Sequence, residues 1–410
     1  MAVTEKVILA SGDGHVGPQT KDYRPYVDPE FREDFDAYLA KHQWMWSPAE
    51  PTSMLPAKCH DKLRIDESFI PGVGSPVAWD PNLRLRAYDE EGIVAEVLVP
   101  DDQNRNDPPW GSGLATSAVA RSKGENYSPE WQRRGARAYN RWLADFCSTD
   151  PRRLLGCIIL GTLEDVDWAI EEVRRCYEGG LRTAVMLPLD YYLPLYHHPR
   201  YDPFWRVCEE LDLTINIHLS KGGPDWVGNS LNTISLLWFT EAMWFAQRPL
   251  WCAMFGGVFD RFPKLRFVFS EIGADWVSPL LRDLDGLVTN PDELFTRFPN
   301  ESAPELIPSE YWARNCFLCH SATNFVLRDG LESGLLDRVP NVIWGADIGH
   351  GEGFWPQGRE VLRPVIERLP APKLRRFLGE DLPRAYPAAG NLRDIVDRIG
   401  PTVDELGLAA

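Results

Sequence analysis

The sequence predicts an α/β protein: a (β/α)8 TIM barrel with long insertions on its C-terminal rim. Three observations carry that expectation. Eight short apolar runs rich in Val and Ile recur along the 410 residues. They are continuously apolar rather than alternating, which marks strands buried on both faces and therefore parallel. Between them lie longer segments with helical spacing of apolar residues, and strand–helix alternation repeated eight times builds a barrel.

The predicted strands are, in order, Lys6–Leu9, Ile93–Val99, Leu154–Leu160, Thr183–Leu187, Leu213–Leu219, Leu265–Ser270, Cys316–Cys319 and Asn341–Trp344. Helical spacing is clearest over Pro129–Ser148 and Leu163–Glu178. The second follows Thr162 as a candidate cap, places acids in its first turn where the helix dipole favours them, and stops at Gly179-Gly180. Residues 20–80, Pro-rich and irregular, and 101–130, a polar loop, exceed a minimal barrel. Each follows a strand, which puts it on the C-terminal rim. Their Trp44, Trp46, Trp79 and Trp110 would either form an aromatic lid over an apolar substrate or pack the insertions onto the barrel. Residues 371–410 read as a C-terminal helical extension. No internal repeat or low-complexity tract interrupts the chain, so 1–410 reads as one domain.

Composition excludes several function classes. With 43 Lys+Arg against 60 Asp+Glu the net charge is −17, leaving no cationic surplus for nucleic acid or an anionic membrane. Sixteen Trp, 18 Phe and 13 Tyr demand burial and argue against disorder. The N-terminus lacks the pattern of a signal peptide. The longest apolar stretch, 233–262, is broken by Glu241, Gln247, Arg248 and Pro249 and falls short of the ~20 residues that span a bilayer. Cysteines such as Cys157 and Cys252 sit in apolar runs, as reduced core thiols do, which points to the cytoplasm. Cys316, Cys319 and His320 spell the C-x-x-C-H of haem attachment, but strand alternation would put the two thiols on opposite faces.

Four residues form the candidate chemistry. In Asp13-Gly14-His15, alternation turns positions 13 and 15 to one side. His218 closes the apolar run LTINIHL, and Asp347 lies just past NVIWG. Each has an ordinary structural explanation in isolation. Together they fall at the C-terminal ends of predicted strands one, five and eight, where barrel active sites gather. Two imidazoles and two carboxylates suit one divalent ion, Zn2+ or Mn2+.

These residues, with RAYDEEGIVAEVLVP from Arg86, RFVFSEIGADWV from Arg266 and WGADIGHGEGFWP from Trp344, resemble the amidohydrolase superfamily, in its branch related to aminocarboxymuconate semialdehyde decarboxylase. The resemblance implies a distorted barrel with one divalent metal held by Asp13, His15, His218 and Asp347. It further implies that His350 and Glu352 orient Asp347 or substrate. The chain departs from the family pattern in three places. Asp13 replaces a frequent His, Ser270-Glu271 stand where many members have His near strand six, and no Lys closes strand four, which implies a mononuclear site.

Two reactions fit this reading. The first is hydrolysis of a small cyclic or aromatic carbonyl or carboxylate compound, with Asp347 accepting a proton from metal-activated water and Glu271 as acid/base. The alternative is non-oxidative decarboxylation of an aromatic or muconate-type acid. Glu271 and the Trp-bearing insertions favour hydrolysis. The segment Leu231–Phe259, with little charge on any face, predicts a homodimer whose second subunit covers it, the alternative cover being the C-terminal segment Ala371–Ala410.

Overall fold

The computed structural model describes residues 5–42, 75–101, 106–114, 127–220, 231–289, 304–321, 334–350, 353, 355, 358, 362–363, 366 and 369–406. Eight parallel strands form one sheet in chain order: β1 (Ala10–Val16), β2 (Ala95–Pro100), β3 (Leu154–Ile158), β4 (Ala184–Met186), β5 (Thr214–His218), β6 (Phe267–Ser270), β7 (Cys316–Ser321) and β8 (Val342–Gly345). Every strand residue is buried, which is why the runs are continuously apolar. The barrel closes between β8 and β1 without a regular ladder. A single parallel bridge pairs Gly14 with Ile348, and two bonds flank it, His15 N–H to the Ile348 carbonyl (2.8 Å) and Asp347 N–H to the Asp13 carbonyl (2.9 Å).

The first strand differs from expectation. It runs through Ala10–Val16 rather than Lys6–Leu9, where Lys6 forms an isolated antiparallel bridge to Thr402 outside the barrel sheet. Gly12 and Gly14 break the apolar pattern, yet the interior demands them. A Cβ on Gly12 would lie 2.8 Å from Cys319 Sγ, and one on Gly14 would lie 2.3 Å from Glu96 Cδ. The pairing with β2 is irregular between Ser11 and Gly14, which aims the following side chains into the barrel mouth.

Helices surround the sheet: α1 (Arg32–Lys41), α2 (Pro81–Glu91), α3 (Pro129–Cys147), α4 (Val166–Glu178), α5 (Asp202–Glu210), α6 (Leu231–Phe255), α7 (Val277–Thr289), α8 (Pro308–Asn315) and α9 (Arg393–Ile399). The cap of α4 is Asp165, whose carboxylate accepts from Trp168 N–H at 3.0 Å. Thr162 instead donates to Asp190 and accepts from Glu164 N–H, because the helix starts one turn later than expected. Ala169, Val173 and Cys176, spaced four and three apart, form its buried stripe.

On the rim, Trp110 is buried against Phe35, Tyr38 and Trp131, with ring centroids 5.0–5.8 Å apart. It packs the two insertions together, and Trp79 is likewise packed against the core. Trp44 and Trp46 lie outside the described residues. The segment after 370 closes the other end of the barrel. Val7 N–H donates to the Pro401 carbonyl, Thr214 to the Ala385 carbonyl, and Asn216 to the Tyr386 hydroxyl at 2.8 Å. Leu237, Trp244 and Phe255 of α6 stay 38%, 51% and 39% exposed. Among the described residues, no helix is long and apolar enough to cross a membrane.

Candidate metal centre

The four residues singled out in the sequence converge at one mouth of the barrel. His15 Nε2 lies 3.1 Å from Asp347 Oδ1 and 3.8 Å from Asp13 Oδ1, and His218 Nε2 lies 3.3 Å from Asp13 Oδ1. Asp13 and His15 project to the same side of β1, as alternation requires. His218 ends β5, and Asp347 follows β8 by two residues. All four are buried.

Both imidazoles are fixed by their other ring nitrogen. Nδ1 of His15 is 2.8 Å from the Pro100 carbonyl, and Nδ1 of His218 is 2.8 Å from the Leu219 carbonyl. A carbonyl only accepts, so each Nδ1 carries the proton and each Nε2 presents its lone pair inward. Ser321 of β7 donates to Asp13 Oδ2, which leaves Oδ1 facing the centre. Among the described residues Asp13 Oδ1, His15 Nε2, His218 Nε2 and both Asp347 oxygens have no hydrogen-bond partner. Buried polar atoms normally find one. Here they face one another as a set of N and O donors that fits a divalent cation. Asp13, His15 and His218 form one group of mutually close donor atoms, and His15, Asp347 and His350 form a second that shares His15.

The electrostatics divide the carboxyls. Burial alone would raise Asp347, but His350 and His15 outweigh it and hold the carboxyl well below its ordinary value. Asp13 is lowered in the same way, burial being outweighed by His218 and His15. Burial dominates Glu271 and pushes it well above the ordinary carboxyl value, against the opposing pull of His218. His15 and His218 are raised, because the neighbouring carboxylates overcome the burial that would lower each ring. A cation entering the centre therefore competes with protons on both rings.

The remaining expected residues separate. Glu271 directly follows β6 and reaches the site, with Oε2 3.5 Å from His218 Nε2 and 14% of its side chain exposed to the mouth. His350 stacks on His15, with ring centroids 3.5 Å apart, and its Nδ1 is 3.3 Å from Asp347 Oδ1. Glu352 lies outside the described residues. His320 is buried beside Ser321, which reaches inward to Asp13, so alternation turns His320 away from the centre. Cys316 and Cys319 are free buried thiols, and Cys319 Sγ lies against Gly12 and Gly345 inside the barrel. Sequence reasoning missed Asp101, buried after β2 with Oδ1 3.7 Å from His350 Nε2, and Ser321. Both obey the strand-end rule that found His218, and applying it to β2 and β7 would have found them.

The (β/α)8 barrel gathers two buried histidines and two buried aspartates at its C-terminal mouth, a candidate site for a divalent cation. A profile of the amidohydrolase family matches residues 77–380, and the chain belongs to that family. Gamma-resorcylate decarboxylase of Rhodococcus jostii (strain RHA1) is 34% identical over 241 residues, 52% of this chain and 64% of the relative. The 2-amino-3-carboxymuconate-6-semialdehyde decarboxylase of Dictyostelium discoideum is 25% identical over 243 residues, 57% and 59% of the two chains. The chain thus spans less than two thirds of the length of these curated relatives. The crystal structure of dihydroxybenzoic acid decarboxylase from Polaromonas sp. JS666, with bound manganese and the inhibitor 2-nitroresorcinol, shares the fold. It has a TM-score of 0.55 and 16% identity over 92% of this chain and 96% of that one.

These relatives overturn the expectation of a hydrolase that uses metal-activated water. They are named decarboxylases. The error has a physical origin: a divalent ion serves as readily to polarise a carboxylate as to acidify water, so the donor set is the same for both reactions. The Trp-bearing insertions offered no discrimination either, since Trp110 and Trp79 pack against the protein. The role of Asp347 as acceptor of a water proton falls with that reading.

Proposed function

We propose that the protein is a metal-dependent, non-oxidative decarboxylase of a small aromatic or muconate-type carboxylic acid. The observation that carries this reading is the pairing, in one mouth, of the four-residue donor set with a carboxyl, Glu271, placed beside it and pushed well above the ordinary carboxyl value by burial. The names of the curated relatives support the same class of reaction. The donors are Asp13, His15, His218 and Asp347. Their two carboxylates favour Mn2+, with Zn2+ as the other candidate. When bound, such an ion supplies a Lewis acid that draws electron density from a coordinated substrate oxygen.

The chain's own groups do the rest. Asp13 and Asp347 stay ionised and balance the cation. His15 and His218 are held in one tautomer by the Pro100 and Leu219 carbonyls. In the reaction, the bond between the unsaturated carbon and its carboxylate breaks and its electron pair stays on that carbon. Glu271 delivers a proton there, and CO2 leaves. Asp101 and His350 line the adjoining wall and orient Asp347. A second copy of the chain is the partner this reading assigns to the exposed flank of α6 at Trp244, and light scattering tests it.

The test is a product assay. The Mn2+-loaded protein is incubated with 2,6-dihydroxybenzoate, 5-carboxyvanillate and related acids in D2O. Release of CO2 with one deuterium at the carbon that bore the carboxylate supports the proposal. Turnover of lactones or esters, with no CO2 from any acid, refutes it.

A further inference from the structure

Arg84 of α2 and Glu96 of β2 are both 0% exposed and pair at 2.6 Å directly beneath the residue that separates Asp13 from His15. A Cβ on Gly14 would lie 2.3 Å from Glu96 Cδ and 2.6 Å from Arg84 Nη2, so the ion pair packs on bare backbone. Every N–H of the guanidinium is engaged. Nε donates to Glu96 Oε2 and the Tyr88 hydroxyl, and Nη1 donates to the carbonyls of His15 (3.1 Å) and Val77. Nη2 donates to Glu96 and to the Ile348 carbonyl at 3.0 Å. Tyr88 in turn donates to Glu96 Oε2 at 2.6 Å.

The two remote carbonyls are the informative ones. His15 belongs to β1 and Ile348 follows Asp347 beyond β8, so Arg84 spans the seam that the sheet itself closes with one bridge. Three of the four donor residues, Asp13, His15 and Asp347, stand on the two sides of that seam. We infer that Arg84, oriented by Glu96 and Tyr88, is a positioning residue of the metal centre: it fixes Asp347, just beyond β8, against the β1 pair. This inference rests on the metal reading above. Lysine cannot replace it, because an ammonium has neither the planar fork nor five donors. A buried pair kept for stability alone could be exchanged for apolar residues at little cost.

Mn2+ affinity by calorimetry and the melting temperature of the metal-free protein separate the two roles. Arg84→Lys is expected to weaken Mn2+ binding about 10–100-fold, the usual effect of losing a group that orients metal ligands. The double variant Arg84→Met/Glu96→Met removes both buried charges. It should melt near the parent temperature when metal-free and still bind Mn2+ at least 10-fold more weakly. Parental affinity in either folded variant overturns the inference. If neither folds, Tyr88→Phe, which removes the hydroxyl's bond to Glu96 and the one it accepts from Arg84 Nε, should lower affinity with little change in melting, and unchanged affinity there overturns it. A parent that binds no Mn2+ instead refutes the metal reading, and the inference with it.

Discussion

Glu271 and Asp347 share one uncommon backbone conformation, with φ of 59° and 52°, each just beyond the end of its strand. For a residue with a Cβ the left-handed region costs roughly 1–2 kcal/mol. The cost turns both carboxyls into the same mouth from different sides of the barrel. Their surroundings then part them: His350 and His15 hold Asp347 below the ordinary carboxyl value against its burial, while burial pushes Glu271 well above it. One is suited to hold a cation and the other to give up a proton.

Glu271→Gln keeps the shape of the side chain but has no proton to deliver. Decarboxylation should fall about 10²–10⁴-fold, the range for a positioned acid. Mn2+ content should remain near parental. Glu271→Gly should lose as much activity, yet the metal-free protein should melt no lower than the parent, since glycine removes about 1 kcal/mol of backbone strain. Turnover assays beside melting curves read both, and near-parental activity in Glu271→Gln excludes it as the acid.

His218→Ala should lose metal and activity together, because it removes one donor and leaves Asp13 Oδ1 facing an empty position. Asp347→Asn keeps a neutral oxygen for weak coordination, so metal content should drop only in part while activity drops further. Elemental analysis per chain against turnover separates them. Full occupancy with normal turnover in Asp347→Asn would make this residue a structural turn carboxylate.

His320 predicts a pH dependence of stability remote from the centre. Burial pushes its pKa down to about 4, and its Nε2 has no hydrogen-bond partner among the described residues. The unfolded chain binds a proton there below its ordinary value of 6.5, whereas the folded chain does not until about pH 4. Stability from this group is therefore complete above pH 6.5 and is lost as pH falls toward 4. Between pH 6.5 and 5 the loss is about 2 kcal/mol. His320→Leu should remove that slope in urea titrations of the metal-free protein. His15 and His218 are raised and contribute the opposite sign, so the readout is the difference between parent and variant. Parallel pH profiles would place His320 in a solvated environment.

The sequence by itself determined the barrel and which polar residues stand at its strand ends. Short continuous apolar runs bounded by turns and separated by helical patterns read as strands covered on both faces, and seven of the eight expected runs overlap strands, with His218 closing β5. Alternation was enough to set Asp13 and His15 on one side. Tertiary structure decided what spacing cannot express. Arg84 reads in sequence as one more charge on an amphipathic helix. Its burial against Glu96 and its reach to the His15 and Ile348 carbonyls exist only because α2 packs under the β8–β1 seam. The β1 boundary was missed because its glycines answer to neighbours distant in sequence, Cys319 and Glu96, rather than to local strand preference. The sign of each carboxyl's shift was likewise a matter of packing: Asp347 and Glu271 are both acids after a strand, and only the position of two imidazoles and the extent of burial set their charges apart.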